Sequence, residues 1–330
     1  LTPGFAAATY AYTTTVPYVV ASMLVTPTAN ELASTLTVNG QAHTSGTGFG
    51  PVGLTAGAVT TVTTAITAPD GTTSLTYVLA ITRRPWEGPF YVDGATGDNA
   101  NACDTWGAGR ACRTIGGAIA KSTLAGTTIY IAPGTFTENL TATLPLNFVG
   151  AGASSTIVDG GQLSRVFNIT ATTGVATFAD LTVRNGRVTG DGAGINAAGM
   201  LSLTNVSIMS NTASANGGGV YAAKALTVTN TSILSNTSAS RGGGIYANAV
   251  ARVQGGLFAG NAISVTNGTS TGYGGGLYAN SGIVITGTQF LRNRNTATSY
   301  TEPSGGGGLY ANSTAVLTNT QFLTNTVAFG

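Results

Sequence analysis

The sequence predicts an all-β chain in two unlike parts: a β-sandwich over residues 1–84 and a β-solenoid over residues 128–330. Residues 85–89 read as a linker and residues 90–127 as a cap on the solenoid. Three observations lead there. A glycine-led unit recurs five times between Gly194 and residue 330. Residues 1–84 alternate apolar and polar side chains between turn dipeptides, the period of half-buried strands. Abundant Thr, Val, Asn and 48 glycines suit strands joined by tight turns.

In the first part, Leu75, Tyr77, Leu79 and Ile81 alternate with Ser74, Thr76, Val78 and Ala80, so one strand face is the more apolar. Tyr10 to Val16 repeats the pattern. Asn39-Gly40 and Asp70-Gly71 predict hairpins whose central residues accept positive φ. The segments LTPGFAAATYAYTTTV, LVTPTANELASTLTVNG and GPVGLTAGAVTTVTTAITAPDGTTSLTYVLAITR resemble, in order, a bacterial cadherin-like β-sandwich domain across residues 1–84. Such domains usually begin with one more strand upstream of LTP-x-F. The resemblance therefore implies a first strand that is lost or supplied by another polypeptide.

Prolines in Arg83-Arg84-Pro85-Trp86-Glu87-Gly88-Pro89 stop strand continuation and mark the junction. Beyond it, Arg113 to Lys121 predicts a short helix with Ile115, Ala118 and Ile119 on one side, placed to cover the first edge of the solenoid. Cys103 and Cys112 are the two cysteines. Their spacing predicts a local disulfide, and with it an oxidising, extracytoplasmic compartment; the alternative is two buried free thiols. Asp93, Asp98 and Asp104 suit Asx turns better than a calcium loop.

Gly194, Gly219, Gly244, Gly276 and Gly308 head the repeats, at spacings of 25, 25, 32 and 32. Fourteen residues later stands Ile208, Ile233, Phe258, Phe290 or Phe322, and three beyond that Asn211, Asn236, Asn261, Asn293 or Asn325. Since these offsets do not vary, added length falls after the Asn, at one corner of the coil. Each coil has room for about three short strands, the second marked by Leu203, Val228, Val253, Ile285 and Leu317. Seven coils, counting two less regular ones near Thr128–Gly160 and Arg165–Gly194, make a rod of roughly 34 Å. The Asn column reads as a side-chain ladder at left-handed corners, and the triple glycines as corners with positive φ.

The recurring triple glycine, Tyr-Ala and Phe-x-x-Asn resemble the repeats of polymorphic outer-membrane proteins and, more broadly, the right-handed parallel β-helix of the pectate-lyase-like superfamily, over residues 90–330. Ile208 and Ile233 depart from the Phe position, and Asn185 falls one residue early. Enzymes of that fold would imply clustered carboxylates with calcium and a basic residue, or paired carboxylates. Here Glu138, Asp159, Asp180, Asp191 and Glu302 do not recur at repeat spacing, and the region has no histidine. The reading is therefore of a non-enzyme, with no catalytic residue, metal or cofactor. Tyr221, Tyr246, Tyr278 and Tyr310 alternate with inward positions and are expected on an outer face, as an interface, a glycan-stacking platform or a self-stacked column. Sequons at Asn139, Asn205 and Asn267 are expected by chance.

Charged residues are 7% of the chain, hydrophobic ones 42%, and the net charge is +2. That leaves no basic patch for nucleic acid and no apolar run long enough for a membrane span. The leading expectation is a secreted or cell-surface structural protein, a filament or sheath subunit or an adhesin stalk. It would self-associate through its chain ends or solenoid face, since the solenoid stops at Phe329-Gly330 without a recognisable cap. The alternative is a module that binds, or less plausibly cleaves, cell-surface glycans.

Overall fold

The computed structural model describes residues 1–6, 8–31, 33–107, 109–265, 272–297 and 305–327. The chain divides into two compact units, Leu1–Trp86 and Glu87–Gly330.

The first unit is a sandwich. One sheet holds β1 (Ala11–Val16), β3 (Thr35–Val38), β4 (Gln41–Ala42), β6 (Val59–Thr67) and β7 (Ser74–Arg83), in the order β1-β7-β6-β3-β4. The other pairs β2 (Ser22–Val25) with β5 (Phe49–Gly53). Leu36, Val38, Leu54, Val62 and Ile81 fill the space between them. Along β7 the expected apolar face is buried at Ile81 and half-buried at Tyr77 and Leu79, but Leu75 runs out into solvent. Asn39 (φ 49°) and Gly40 (φ 79°) make the expected tight turn. The second hairpin differs. Only Gly71 is left-handed, and Asp70 instead accepts the Thr72 and Thr73 amides in an Asx turn.

The second unit stacks parallel strands into four sheets, in the manner of a right-handed parallel β-helix. A long sheet runs from Phe90–Val92 and Thr128–Ile131 to Ala315–Thr318. A phenylalanine sheet runs from Gly134–Thr137 to Gln321–Leu323, a tyrosine sheet from Leu140–Ala142 to Leu309–Ala311, and a short sheet from Arg187–Val188 to Thr326–Val327. The expected three strands per coil become four, because two residues after each ladder Asn also pair with the next coil. So short a strand leaves no periodicity in the sequence.

Each coil buries its apolar face on the next. Phe258 and Phe290 stack at 4.7 Å with no exposed surface, and Leu203, Val228, Val253 and Ile285 form a second dry column. In the last described coil the same columns are open: Leu317 is 45% and Phe322 43% exposed. At the other end helix α1 (Ile115–Lys121) buries Ile115 and Ala118. Thr114 caps it by accepting the Gly117 amide at 3.0 Å, and the Glu138 carboxylate accepts the amides of Ile115 and Gly116. The helix thus starts two residues later than the sequence predicts, where its cap is.

The triple glycines have two causes, not one. The first of each is left-handed, as at Gly242 (φ +63°). The second is crowded: a Cβ on Gly243 would lie 2.4 Å from the carbonyl oxygens of both Ala262 and Gly275.

Candidate functional site

An asparagine ladder runs along the stack from Asn211 to Asn325. Asn211, Asn236, Asn261 and Asn293 are fully buried. Each Nδ2 donates to the Oδ1 of the next, through Asn325, at 2.8–3.0 Å. The backbone N–H of each donates to the same Oδ1, and Nδ2 also reaches a carbonyl of the preceding coil, as Asn261 does to Ile233. The ladder residues are not themselves left-handed, contrary to expectation. That conformation belongs to the residue before: Ser210, Ser235, Gly260, Arg292 and Thr324. This explains the early Asn185, which sits at the left-handed position (φ 55°) while Gly186 N–H starts the ladder on Asn211.

The tyrosines point away from the core, since Val220, Ala222 and their counterparts are buried inward. The face is nevertheless not an open aromatic surface. Tyr221, Tyr246, Tyr278 and Tyr310 stack nearly parallel at 5.0–5.5 Å, leaving Tyr246 7% and Tyr278 5% exposed. Strand spacing brings the rings face to face, so a sugar ring finds no free π-face between them. The hydroxyls of Tyr246 and Tyr278 donate to Asn248 and Asn280, which join Asn312 in a second amide ladder. Arg241 lies over Tyr273 and Tyr278. Burial pushes the phenols of Tyr246 and Tyr278 above the ordinary tyrosine range.

The carboxylates are dispersed. Glu138 caps α1, and Asp180 accepts from Asn205 Nδ2. Asp191 accepts two bonds from Asn216. Asp159 pairs with Arg184 at 2.7 Å and also accepts from Asn185 and the Gly161 amide. Its burial raises the carboxyl pKa, but these bonds outweigh that and hold it below the usual range. Near the cap, Asp93 takes the Ala95 and Thr96 amides, Asp98 the Ala100 amide, and Asp104 pairs with Arg110. No group of three metal-ligating side chains occurs among the described residues. Cys103 and Cys112 are joined as a disulfide. Glu302, the Asn267 sequon and Phe329-Gly330 lie outside the described residues.

A groove that the sequence reading missed runs along the outer face of the short sheet. Its volume is about 550 Å³, within the range of ligand sites. Arg187, Thr212 and Thr237 stand in register on successive strands, and the same column continues through Ala262 to Arg294. Thr189, Ser214, Ala239 and Ser264 form a parallel row, and the exposed Leu163 with Gln162 closes one end. None of the groove-lining residues is acidic. The side chains of Gln162, Arg187, Thr212 and Thr237 make no hydrogen bond to any described residue, so their donors and acceptors face solvent. The signal was present: the groove column is the residue after each ladder Asn. In a chain so rich in Thr it did not stand out.

Residues 1–84 match the family model described as Cadherin-like beta sandwich domain. No curated protein matches the chain in sequence. Among solved structures, a mutant pectin methylesterase in complex with a hexasaccharide is similar at 15% identity and a TM-score of 0.43, over 72% of this chain and 79% of that one. The pectin methylesterase PemA from Erwinia chrysanthemi is similar at 14% identity and a TM-score of 0.43, over 73% and 80%. Both are enzymes, and this corrects the expectation of a non-enzyme, which the strand stack cannot support. A likeness of that size brings neither their reaction nor their substrate to this chain.

Proposed function

We propose that the strand stack is a polysaccharide-binding module of a secreted or cell-surface protein. The observation that carries this reading is the groove: the hydroxyls of Thr212 and Thr237 on adjacent coils, the Gln162 amide and the Arg187 guanidinium line it without a hydrogen bond to a described residue. Strand spacing of ~4.8 Å is close to the length of one sugar unit in an extended glycan. A glycan lying along the stack would therefore meet Thr212 and Thr237 at successive units, with Leu163 offering an apolar contact at one end. The disulfide supports an oxidising compartment, and no helix among the described residues is long and apolar enough to cross a membrane. This reading displaces the filament or adhesin stalk, because it has a built groove behind it.

The test is a glycan array followed by calorimetry on the intact chain. Replacing Thr212 and Thr237 together by Val removes two hydroxyls at constant shape and is expected to weaken binding at least tenfold. Tyr246→Phe, in the stacked column, is expected to leave it unchanged. Equal affinity of the double Val variant and the parent would refute the groove.

A further inference from the structure

One column, at the corner between the short sheet and the tyrosine sheet, carries opposite charges. Asp191, Asn216, Arg241 and Tyr273 occupy it in four successive coils, each immediately before a left-handed glycine. The backbone fixes their register: Gly192 N–H donates to Asn216 O, Gly217 N–H to Arg241 O and Gly242 N–H to Tyr273 O, at 2.8–2.9 Å. Asp191 Oδ1 accepts both the backbone N–H and the Nδ2 of Asn216. The Asn216 amide is thereby oriented. Its donor end faces the carboxylate of the coil before, and its Oδ1 lies on the side of the coil after, which carries Arg241. Asn216 Oδ1 and Arg241 Nε are both closed off from solvent, and neither has a hydrogen-bond partner among the described residues. The one can only accept and the other only donate. The guanidinium carbon lies 5.9 and 5.6 Å from the ring centres of Tyr273 and Tyr278.

We propose that one buried water molecule joins Asn216 Oδ1 to Arg241 Nε, completing a chain from the Asp191 carboxylate to the Arg241 guanidinium across three coils. Water fits both atoms at once, since it accepts from the N–H and donates to the amide oxygen. A cation in the same place would be repelled by the guanidinium, and an anion by the lone pairs of Oδ1. The spacing suits a single molecule. Neighbouring coils stand ~4.8 Å apart, and two hydrogen bonds of ~2.8 Å meeting at a tetrahedral oxygen span about 4.6 Å. Water so held replaces the bonds that burial took from both groups. The chain also fixes Arg241 beside Tyr273, where the added residues of the first longer coil rejoin the stack. The bridge is independent of what the groove binds.

The tests use the intact chain. A crystal structure fine enough to show ordered water is expected to place one water within hydrogen-bond distance of both atoms. Oxygen-17 relaxation dispersion is expected to count one fewer long-lived water in Asn216→Leu than in the parent. Urea unfolding of Asn216→Leu, Arg241→Met and the double variant then reads the coupling. Each single change strands the group opposite, whereas the double change removes both. The folding constant of the double variant should therefore stand about tenfold above the value expected from multiplying the two single losses. A direct Nε–H···Oδ1 bond in the crystal, both atoms open to bulk water, or an unchanged count of long-lived waters in Asn216→Leu overturns the bridge. So does a double variant whose loss equals the product of the single losses. The crystal decides the matter even where a variant fails to fold.

Discussion

Asn261 offers the sharpest test of what holds the stack in register. Its Oδ1 accepts from the N–H and Nδ2 of Asn236, and its Nδ2 donates to Ile233 O and Asn293 Oδ1. Replacement by Ala deletes all four bonds at a site with no exposed surface. Asn236 Nδ2 keeps its bond to Ile208 O, but the Asn236 N–H loses its acceptor. A stranded buried donor costs about 2 kcal/mol, and three further bonds about 0.5–1 kcal/mol each, so the expected loss is about 4 kcal/mol. Asn325→Ala is the control. That residue is half-buried, water can replace its bonds, and the expected cost is about 1 kcal/mol. Urea unfolding of the intact chain, followed by circular dichroism, reads both as midpoint shifts at unchanged slope. If Asn261→Ala costs no more than Asn325→Ala, the ladder is not what holds the coils in register.

Other outcomes follow from the same geometry. Gly243→Ala pushes a Cβ against carbonyls on both sides and is expected to cost at least about 3 kcal/mol, measured by the same unfolding assay. Phe290→Ala empties the middle of a dry column and is expected to cost about 3–5 kcal/mol, against a smaller loss for the exposed Phe322→Ala. Tyr246 and Tyr278 have phenol pKa values raised by burial, so the unfolded chain loses those protons first. Their stabilisation is complete below about pH 10 and declines as pH rises through the folded values. Replacing both by Phe should flatten that alkaline decline in a series of thermal melts. Reduction of Cys103–Cys112 is expected to lower stability by about 2–3 kcal/mol, since the bond closes a loop of nine-residue separation next to the cap.

Much of the solenoid was legible because stacking turns one-dimensional offsets into columns. The fixed step from glycine to Ile or Phe and then to Asn gave the inward faces and the ladder. What spacing could not give was the consequence of one coil lying on another. Alternation sent the tyrosines outward, yet whether an outward ring is open depends on the ring above it, and at strand spacing the rings cover each other. Likewise Gly243 and Gly242 look identical in sequence, though one serves a backbone angle and the other makes room for two carbonyls. The groove escaped because its marker is a threonine among many. The backbone pairing of Thr212 with Arg187 and Thr237 makes the line they share plain.

The corner that accepts added length has a consequence for that line. The extra residues of the longer coils enter between the short sheet and the tyrosine sheet, after the ladder Asn and its two-residue strand. From each ladder Asn the groove column is the next residue, and nothing is inserted within that step. Loops can therefore grow, shrink or change composition on one flank while the interval between neighbouring groove positions stays locked to the interval between buried amides. Such a molecule can vary the flank of the groove without altering the spacing of the groove column.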